Sequence, residues 1–157
     1  MLSKSDFIQI VKSSPLISID LIIQNEKEEV LLGWRTNLPA QHFWFVPGGR
    51  IRKDEKFRDA FSRIVKTETG MDKGLEEAEF HGIYEHIYPG ENFAGEANFG
   101  THYIVIAYRI RLESTLSELP KEQHTKYWWA PVDELLAAQD VHTNTKNYFN
   151  GYPPFSD

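Results

Sequence analysis

A single carboxylate falls on the apolar side of a predicted helix. The segment from Asp54 to Gly70 predicts this helix, because the Asp54 side chain can accept from free N–H groups of a first turn and glycine commonly ends a helix. Apolar residues at three- and four-residue intervals predict a buried stripe: Phe57, Ala60, Phe61, Ile64 and Val65. Glu68 follows Ile64 by four residues and continues that stripe. If buried, its carboxylate needs an ion partner, hydrogen bonds or a metal, whereas a helix end projecting past the core leaves it hydrated.

Two glycines, Gly48 and Gly49, lie between a strand-like segment at 43–47 and this helix. They predict a turn in which the backbone can approach a ligand or an ion closely, because no Cβ stands in the way. The same pair, taken alone, is also typical of a tight turn that binds nothing. The sequence therefore indicates a site beside the helix and leaves its occupancy open.

The order of residues from Gly48 to Gly70 resembles the Nudix box, the signature segment of the Nudix hydrolases. It contains the glycine turn, then Glu55, Arg63 and Glu68, and the closing glycine at the family's spacing. Glu55 and Arg63 lie on the polar side of the predicted helix. They predict a structural ion pair rather than a catalytic role.

Two positions depart from the family pattern. Ile64 and Thr67 stand where the box has glutamates, so that Glu68 alone remains of a cluster of three. Three carboxylates on one helical face would hold several divalent cations and supply a base for water attacking phosphorus. This chain instead predicts a one-metal site whose base comes from elsewhere.

The reduced box resembles one branch in particular, the GDP-mannose mannosyl hydrolases. The likeness runs from the N-terminal segment to about Phe149. It rests on these segments: SPL near Ser14, LLGWRTNLPAQ from Leu31, WFVPGGR from Trp44, THY from Thr101, EQH from Glu122 and VHTNT from Val141. Trp34 departs from this branch, where related hydrolases have lysine. A tryptophan can stack on a base or a sugar but cannot donate charge to a phosphate.

The resemblance implies one Mg²⁺ per subunit, with Mn²⁺ as an alternative ion. The ligands would be the Gly49 carbonyl, the Glu68 carboxylate, the Gln123 side chain and diphosphate oxygens of the substrate. Without the resemblance, a glutamine in the polar segment 121–124 is more often hydrated than a ligand.

The resemblance also makes His124 the general base, since histidine takes up a proton near neutral pH. The chain has five other histidines, so histidine content alone does not identify a base: His42, His81, His86, His102 and His142. The further site residues it implies are Arg50 and Asp20 for catalysis, and Arg35, Tyr103 and His86 for substrate binding.

Each of these side chains also has an ordinary structural interpretation. Arg35 and Arg50 are typical of a strand end and an exposed charged turn, although a guanidinium near an anionic ligand donates a planar fork to phosphate oxygens. Tyr103 is also typical of a core aromatic with a satisfied hydroxyl. Asp20 interrupts an apolar strand and is equally consistent with a bond to nearby backbone.

The implied reaction is hydrolysis of GDP-mannose, with GDP-glucose as a further substrate, to GDP and the free hexose. Water would attack the anomeric carbon and invert it, while Mg²⁺ and Arg50 stabilise the charge growing on GDP. Two alternatives stay open. One is cleavage of a nucleotide sugar at phosphorus, and the other is a nucleotide-sugar-binding module that has lost catalysis.

Composition predicts one compact domain over residues 1–157, because the chain is 41% hydrophobic and 13% aromatic. The net charge of −6 argues against general nucleic-acid binding. No run approaches the ~20 apolar residues of a membrane span, and the N-terminus lacks a secretory pattern. We therefore expect a cytoplasmic protein whose partners are small molecules, and the resemblance implies that the partner is a GDP-sugar. The absence of cysteine excludes disulfides and thiol catalysis.

The predicted elements give an α/β (α+β) fold, and the resemblance implies a Nudix-type alpha-beta-alpha sandwich with a mixed β-sheet. The helix predicted from Asp54 to Gly70 is called the box helix. Three other helices are predicted, from Ser5 or Asp6 to 13, at 131–138 and at 141–148. Strands are predicted at 15–24, 29–35, 43–47, 79–88, 102–112 and 126–130. Segment 89–100, with its three glycines, predicts a mobile loop over the site. The apolar side of the first helix, together with the resemblance, predicts a homodimer.

Overall fold

A computed structural model describes residues 1–114, 119 and 126–151. The strands are β1 Leu16–Gln24, β2 Val30–Trp34, β3 Trp44–Phe45, β4 Gly48–Arg50, β5 Glu79–Tyr88, β6 Thr101–Arg111 and β7 Tyr127–Ala130. The helices are α1 Lys4–Ser13, α2 Phe57–Thr69, α3 Val132–Ala137 and α4 Thr143–Lys146, with a 3₁₀ turn at Leu75–Glu77. Gln123 and His124 lie outside the described residues.

The strands form one mixed seven-stranded sheet around β1. β1 runs parallel to β6 along its whole length and antiparallel to β2 and β4. β5 pairs with β6, while β3 and β7 pair with β2, all antiparallel. Helices flank this mixed sheet, which confirms the predicted α+β fold class.

Side-chain alternation along β1 divides the core between the two faces of the sheet. Ile19, Leu21 and Ile23 are fully buried with the apolar stripe of α2, which confirms the predicted stripe. Ile22 points to the other face, where it joins a cluster that includes Leu135 of α3. The strand is thus buried on both faces, and a polar residue in it needs a partner or a cavity.

The box helix begins at Phe57, so the prediction of a start at Asp54 is wrong. Asp54 has a φ of 64°, which is left-handed backbone that a right-handed helix cannot contain. The end is as predicted, because Gly70 has a φ of 79° and its N–H donates to the carbonyl of Lys66. The first helix, by contrast, starts earlier than predicted, with Ser3 as its cap accepting from the Asp6 N–H.

The predicted glycine turn is also wrong, since Gly48 and Gly49 belong to a short strand paired with β1. Glycine is needed at these two positions because neighbouring atoms leave no room for a Cβ, and not because the chain turns there. A Cβ on Gly48 would lie 2.8 Å from the Ile19 carbonyl oxygen, and one on Gly49 would lie 3.1 Å from Ile64 Cγ1. The two glycines therefore let β4 pack tightly between β1 and α2.

Segment 89–100 is built around Asn92, which is 1% exposed. The Asn92 side chain donates to the Glu96 carbonyl at 2.8 Å and accepts from the Glu96 N–H at 3.2 Å. Glu91 accepts from the Ala40 N–H at 2.8 Å and so ties the segment to the connection between β2 and β3. Residues 89–100 are not among the residues that line the cavity at Asp20 and Glu68, and the placement of this segment over the site stays a prediction.

Apolar side chains are exposed on one side of the sheet rather than on α1 alone. Ile17 is 49% exposed, and Ile83 and Ile87 of the edge strand β5 are also exposed. Phe7 of α1, by contrast, is partly covered by the ring of Phe93.

Among the described residues, no helix has the length and apolar character needed to cross a membrane.

Candidate active site

One cavity brings together all the predicted site residues that the structure describes. Its lining includes Asp20, Arg35, Gly49, Arg50, Glu68, His86 and Tyr103. These residues come from five strands or strand ends and one helix, and they span most of the chain. The two remaining predicted residues, Gln123 and His124, are not among those described.

The sheet register explains how distant residues meet. Asp20 lies directly opposite Gly48 in the β1–β4 pair, which places it beside the glycines. His86 and Tyr103 are cross-strand partners in the β5–β6 pair. β6 pairs in parallel with β1, with Leu16 opposite Tyr103 and Asp20 opposite Ala107, so that both pairs lie on neighbouring strands and Asp20 and Tyr103 share one face of the sheet. Glu68 reaches the same cavity from the last turn of α2.

Glu68 is 6% exposed, so its carboxylate is held at the buried edge of the stripe rather than projecting into water. Its surroundings supply the oxygen ligands that Mg²⁺ prefers, since the backbone of Gly49 and the carboxylate of Asp20 line the same cavity. In the described ranges no three His, Cys, Asp or Glu residues cluster as a metal site. The residues present therefore fit a Mg²⁺ held by few protein ligands together with substrate phosphates.

The two altered box positions have different surroundings. Ile64 is 1% exposed and packs against Gly49, whereas Thr67 is exposed. The first of the missing carboxylates is thus replaced by a core side chain. The second is replaced by a hydroxyl on the solvent side of the helix.

We expect Ile64→Glu to lower the free energy of unfolding by about 3–5 kcal/mol, because a carboxylate there would be buried without a partner and close to Glu68. Thr67→Glu is the matched control, since the same side chain at an exposed position should change stability by about 0.5 kcal/mol or less. Urea unfolding of both variants measures the difference. Equal stability of the two would show that the Ile64 position can accommodate a charge.

Asp20 and His86 are joined through a residue that the sequence did not single out, Tyr148. The Tyr148 hydroxyl donates to Asp20 Oδ2 at 2.5 Å and lies 3.4 Å from His86 Nε2. Burial raises the pKa of Asp20 to about 7, although Tyr148 and Arg35 oppose the shift. Burial also lowers the pKa of His86 to about 4, so this imidazole is neutral at physiological pH.

Two arginines give the cavity positive charge. Arg35 donates from Nε to the Pro39 carbonyl at 3.0 Å, which orients its guanidinium along the connection after β2. Arg50 stacks on the ring of Phe7, with Cζ 4.6 Å from the ring centroid. Both groups line the same cavity as Asp20. Two fixed guanidiniums beside carboxylates suit a diphosphate held with a divalent cation.

Glu55 and Arg63 form an ion pair next to this site. Arg63 Nε donates to Glu55 Oε1 at 2.6 Å, and its Nη2 donates to Glu55 Oε2 and to the Arg50 carbonyl, both at 2.9 Å. Hydrogen bonding to Arg63 lowers the pKa of Glu55 to about 2. The pair fastens α2 to the end of β4. It thereby supports the backbone that carries Arg50.

Two tyrosines at the site were not indicated by sequence patterns: Tyr88, which lines the cavity, and Tyr148, which contacts Asp20 and His86. Tyr88 lines the cavity, and its hydroxyl accepts from Asn144 Nδ2 at 3.1 Å. Tyr148 lies just beyond α4 and is 4% exposed. The only available signal was the segment VHTNT, which precedes Tyr148 and contains Asn144.

Comparison with known proteins agrees with this architecture. The low-salt glycan biosynthesis protein Agl8 of Haloferax volcanii is 38% identical over 117 residues, covering 74% of this chain and 71% of that protein. A MutT protein from Methanosarcina mazei has 21% identity and a TM-score of 0.69, covering 89% of this chain and 94% of its own. The NUDIX domain of Shewanella oneidensis NrtR, solved with ADP ribose, has 16% identity and a TM-score of 0.61, covering 94% and 96%. At these low identities, the two structures show a shared fold.

The family model for the NUDIX domain matches residues 15–150, from β1 to the end of the described chain after α4. This range contains the sheet, α2 and every residue of the candidate site. The chain belongs to the NUDIX domain family of hydrolases.

Proposed function

We propose that this protein is a Mg²⁺-dependent GDP-mannose mannosyl hydrolase that also accepts GDP-glucose. It would release GDP and the free hexose by water attack at the anomeric carbon with inversion. One observation carries the proposal: α2 brings a single carboxylate, Glu68, into a cavity shared with two arginines and a second carboxylate. This arrangement suits an anionic diphosphate with a sugar attached, and it lacks the second and third box carboxylates.

The diphosphate would lie between Arg35 and Arg50. Their guanidiniums bind phosphate oxygens, and Arg50 stabilises the negative charge that develops on GDP as it departs. Glu68, the Gly49 carbonyl and Gln123 would hold Mg²⁺, which would supply further charge stabilisation for the same oxygens. Tyr103 would donate its hydroxyl to the diphosphate from the neighbouring strand β6.

The sugar would lie next to Asp20 and His86, which are joined through Tyr148. The Asp20 carboxylate and the unprotonated nitrogen of the neutral His86 imidazole would each accept a hydrogen bond from a hexose hydroxyl. His124 takes the proton of the attacking water, as the resemblance to the mannosyl hydrolases implies. His86 is less suited to that role, because burial lowers its pKa to about 4.

One feature favours attack at carbon over attack at phosphorus. The box positions that would supply further metal ligands and a base hold a core isoleucine, Ile64, and an exposed threonine, Thr67. The similarity to a glycan biosynthesis protein favours a sugar-containing substrate, which both reactions share. Attack at phosphorus to give GMP and a sugar phosphate is the second candidate function.

Hydrolysis in ¹⁸O-labelled water decides between these reactions. We expect the label in the released hexose, because the water oxygen would become the anomeric hydroxyl, and we expect unlabelled GDP. Mass spectrometry of both products gives the answer. Label found only in phosphate would establish attack at phosphorus instead.

A nucleotide-sugar-binding module without catalysis is the remaining alternative. A panel of GDP-sugars and other nucleotide sugars, each with Mg²⁺, tests it through product release. Binding without turnover across the panel would favour the module. Release of GDP from GDP-mannose would exclude it.

The proposal includes a cytoplasmic homodimer. Exposed Ile17, Ile83 and Ile87 provide an apolar surface, in addition to the partly covered side of α1, on which a second copy could pack. Sedimentation equilibrium reports the mass directly. The mass of one chain at micromolar concentration would contradict the dimer.

A further inference from the structure

Tyr148, in the segment just after α4, contacts two residues that line the cavity, Asp20 and His86. Its hydroxyl lies between two candidate sugar contacts, at 2.5 Å from Asp20 Oδ2 and 3.4 Å from His86 Nε2. The bond to Asp20 joins residues 128 positions apart in the chain. This contact therefore depends on the complete fold and not on a local motif.

The hydroxyl can donate only one proton, and this fixes the direction of both hydrogen bonds. An ionised Asp20 only accepts, so Tyr148 must donate to it. The oxygen of Tyr148 can then only accept from His86, which requires the proton of the neutral imidazole to be on Nε2. Nδ1 of His86 is left as the acceptor nitrogen.

The same bond selects the oxygen of Asp20 that is available to a ligand. Oδ2 accepts from Tyr148, while Oδ1 lies over Gly48, so closely that a Cβ on that glycine would overlap it. Gly48 itself lines the cavity. Oδ1 is therefore the oxygen that a sugar hydroxyl would reach.

Contacts other than the bond to Asp20 also hold Tyr148 in place. Its ring packs edge to face on the ring of Tyr84, with centroids 4.7 Å apart. The carbonyl of Tyr148 accepts from His81 Nε2 at 3.0 Å. Because ring and backbone are both fixed, the hydroxyl cannot follow Asp20 if that side chain turns. It restrains the carboxylate instead.

We propose that Tyr148 is a positioning residue that orients Asp20 and fixes the tautomer of His86 for binding of the hexose. The inference rests on the proposed function as far as the hexose is concerned. The restraint on Asp20 and His86 is a property of the free protein and can be measured without substrate.

The test compares Tyr148→Phe with Tyr84→Phe in the full chain. Both variants lose one phenolic hydroxyl from neighbouring rings, but only the first loses the contact with Asp20. Nitrogen-15 NMR of His86 at pH 8, above the pKa of Asp20, reports which ring nitrogen carries the proton. We expect the Nε2–H form in the parent protein and in Tyr84→Phe, and a mixture of both forms in Tyr148→Phe.

Kinetics with GDP-mannose and Mg²⁺ provide the second readout. We expect Tyr148→Phe to lower kcat/KM by about 10- to 100-fold, as for loss of a hydrogen bond to a charged group. Tyr84→Phe should stay within about threefold of the parent. Phenylalanine keeps the ring packing, and melting curves verify that the variants are folded.

Three results would overturn the proposal. One is an Nδ1–H form of His86 in the parent protein, which needs no variant and so does not depend on the folding of Tyr148→Phe. The others are an unchanged tautomer in Tyr148→Phe and an unchanged kcat/KM. If the tautomer changes as expected but the parent protein hydrolyses no GDP-hexose, the positioning of Asp20 is supported and the proposed function fails.

Discussion

Replacing Glu68 with glutamine is expected to raise the Mg²⁺ concentration needed for half-maximal turnover by about 100-fold and to lower kcat/KM by a similar factor. Glutamine keeps the size of the side chain and one oxygen, but it removes the negative charge. Glu68 is the single box carboxylate in the cavity, and it is 6% exposed. The helix therefore has no neighbouring carboxylate at Ile64 or Thr67 to replace it.

The matched control is Glu55→Gln, which neutralises the other glutamate of the box. Glu55 bonds to Arg63 rather than facing the cavity. Its loss should therefore reduce stability and leave the Mg²⁺ dependence close to that of the parent. Mg²⁺ titrations of turnover, together with melting curves, separate the two effects. A Glu68→Gln protein with the parent's Mg²⁺ dependence would remove Glu68 from the metal site.

The box helix shows what local pattern can predict. The spacing from Phe57 to Val65 identified the buried stripe, because helical periodicity acts within a few residues. The same spacing placed Glu68 on that stripe, and the structure buries it. The start of the helix was missed because Asp54 adopts left-handed backbone, and no pattern in the sequence signals that conformation.

The glycine pair shows where local pattern misleads. Two adjacent glycines commonly make a turn, but Gly48 and Gly49 are strand residues that let β4 approach β1 and α2. The reason lies in tertiary packing. Ile64 occupies the space beside Gly49, and this contact becomes visible only when helix and sheet are placed together.

The candidate site shows that local pattern also fails to predict contacts between residues that are far apart in the chain. Resemblance to a family brought together residues such as Asp20, Arg50 and His86, which no periodicity relates. It did not identify Tyr148, because a buried tyrosine in the last segment looks like a core aromatic until its hydroxyl is seen against Asp20. Contacts between distant parts of the chain carry most of the site's organisation.

Replacing His124 with glutamine is expected to lower kcat by about 10²- to 10⁴-fold, the usual contribution of a general base. Glutamine can still hydrogen-bond to water but cannot accept its proton. Neither Asp20 nor His86 should substitute fully, since Tyr148 already engages Asp20 and the pKa of His86 is lowered to about 4.

Binding and a control histidine make this test specific. GDP affinity in the presence of Mg²⁺ should change by less than about tenfold in His124→Gln, because the arginines and Glu68 are untouched. His102→Gln changes another histidine, one that lies outside the lining of the main cavity, and should keep the parent's kcat. Unchanged turnover in His124→Gln would exclude His124 as the base. Since Ile64 and Thr67 cannot take up a proton from water, the base would then have to be sought among the groups that line the cavity, with Asp20 the first to replace.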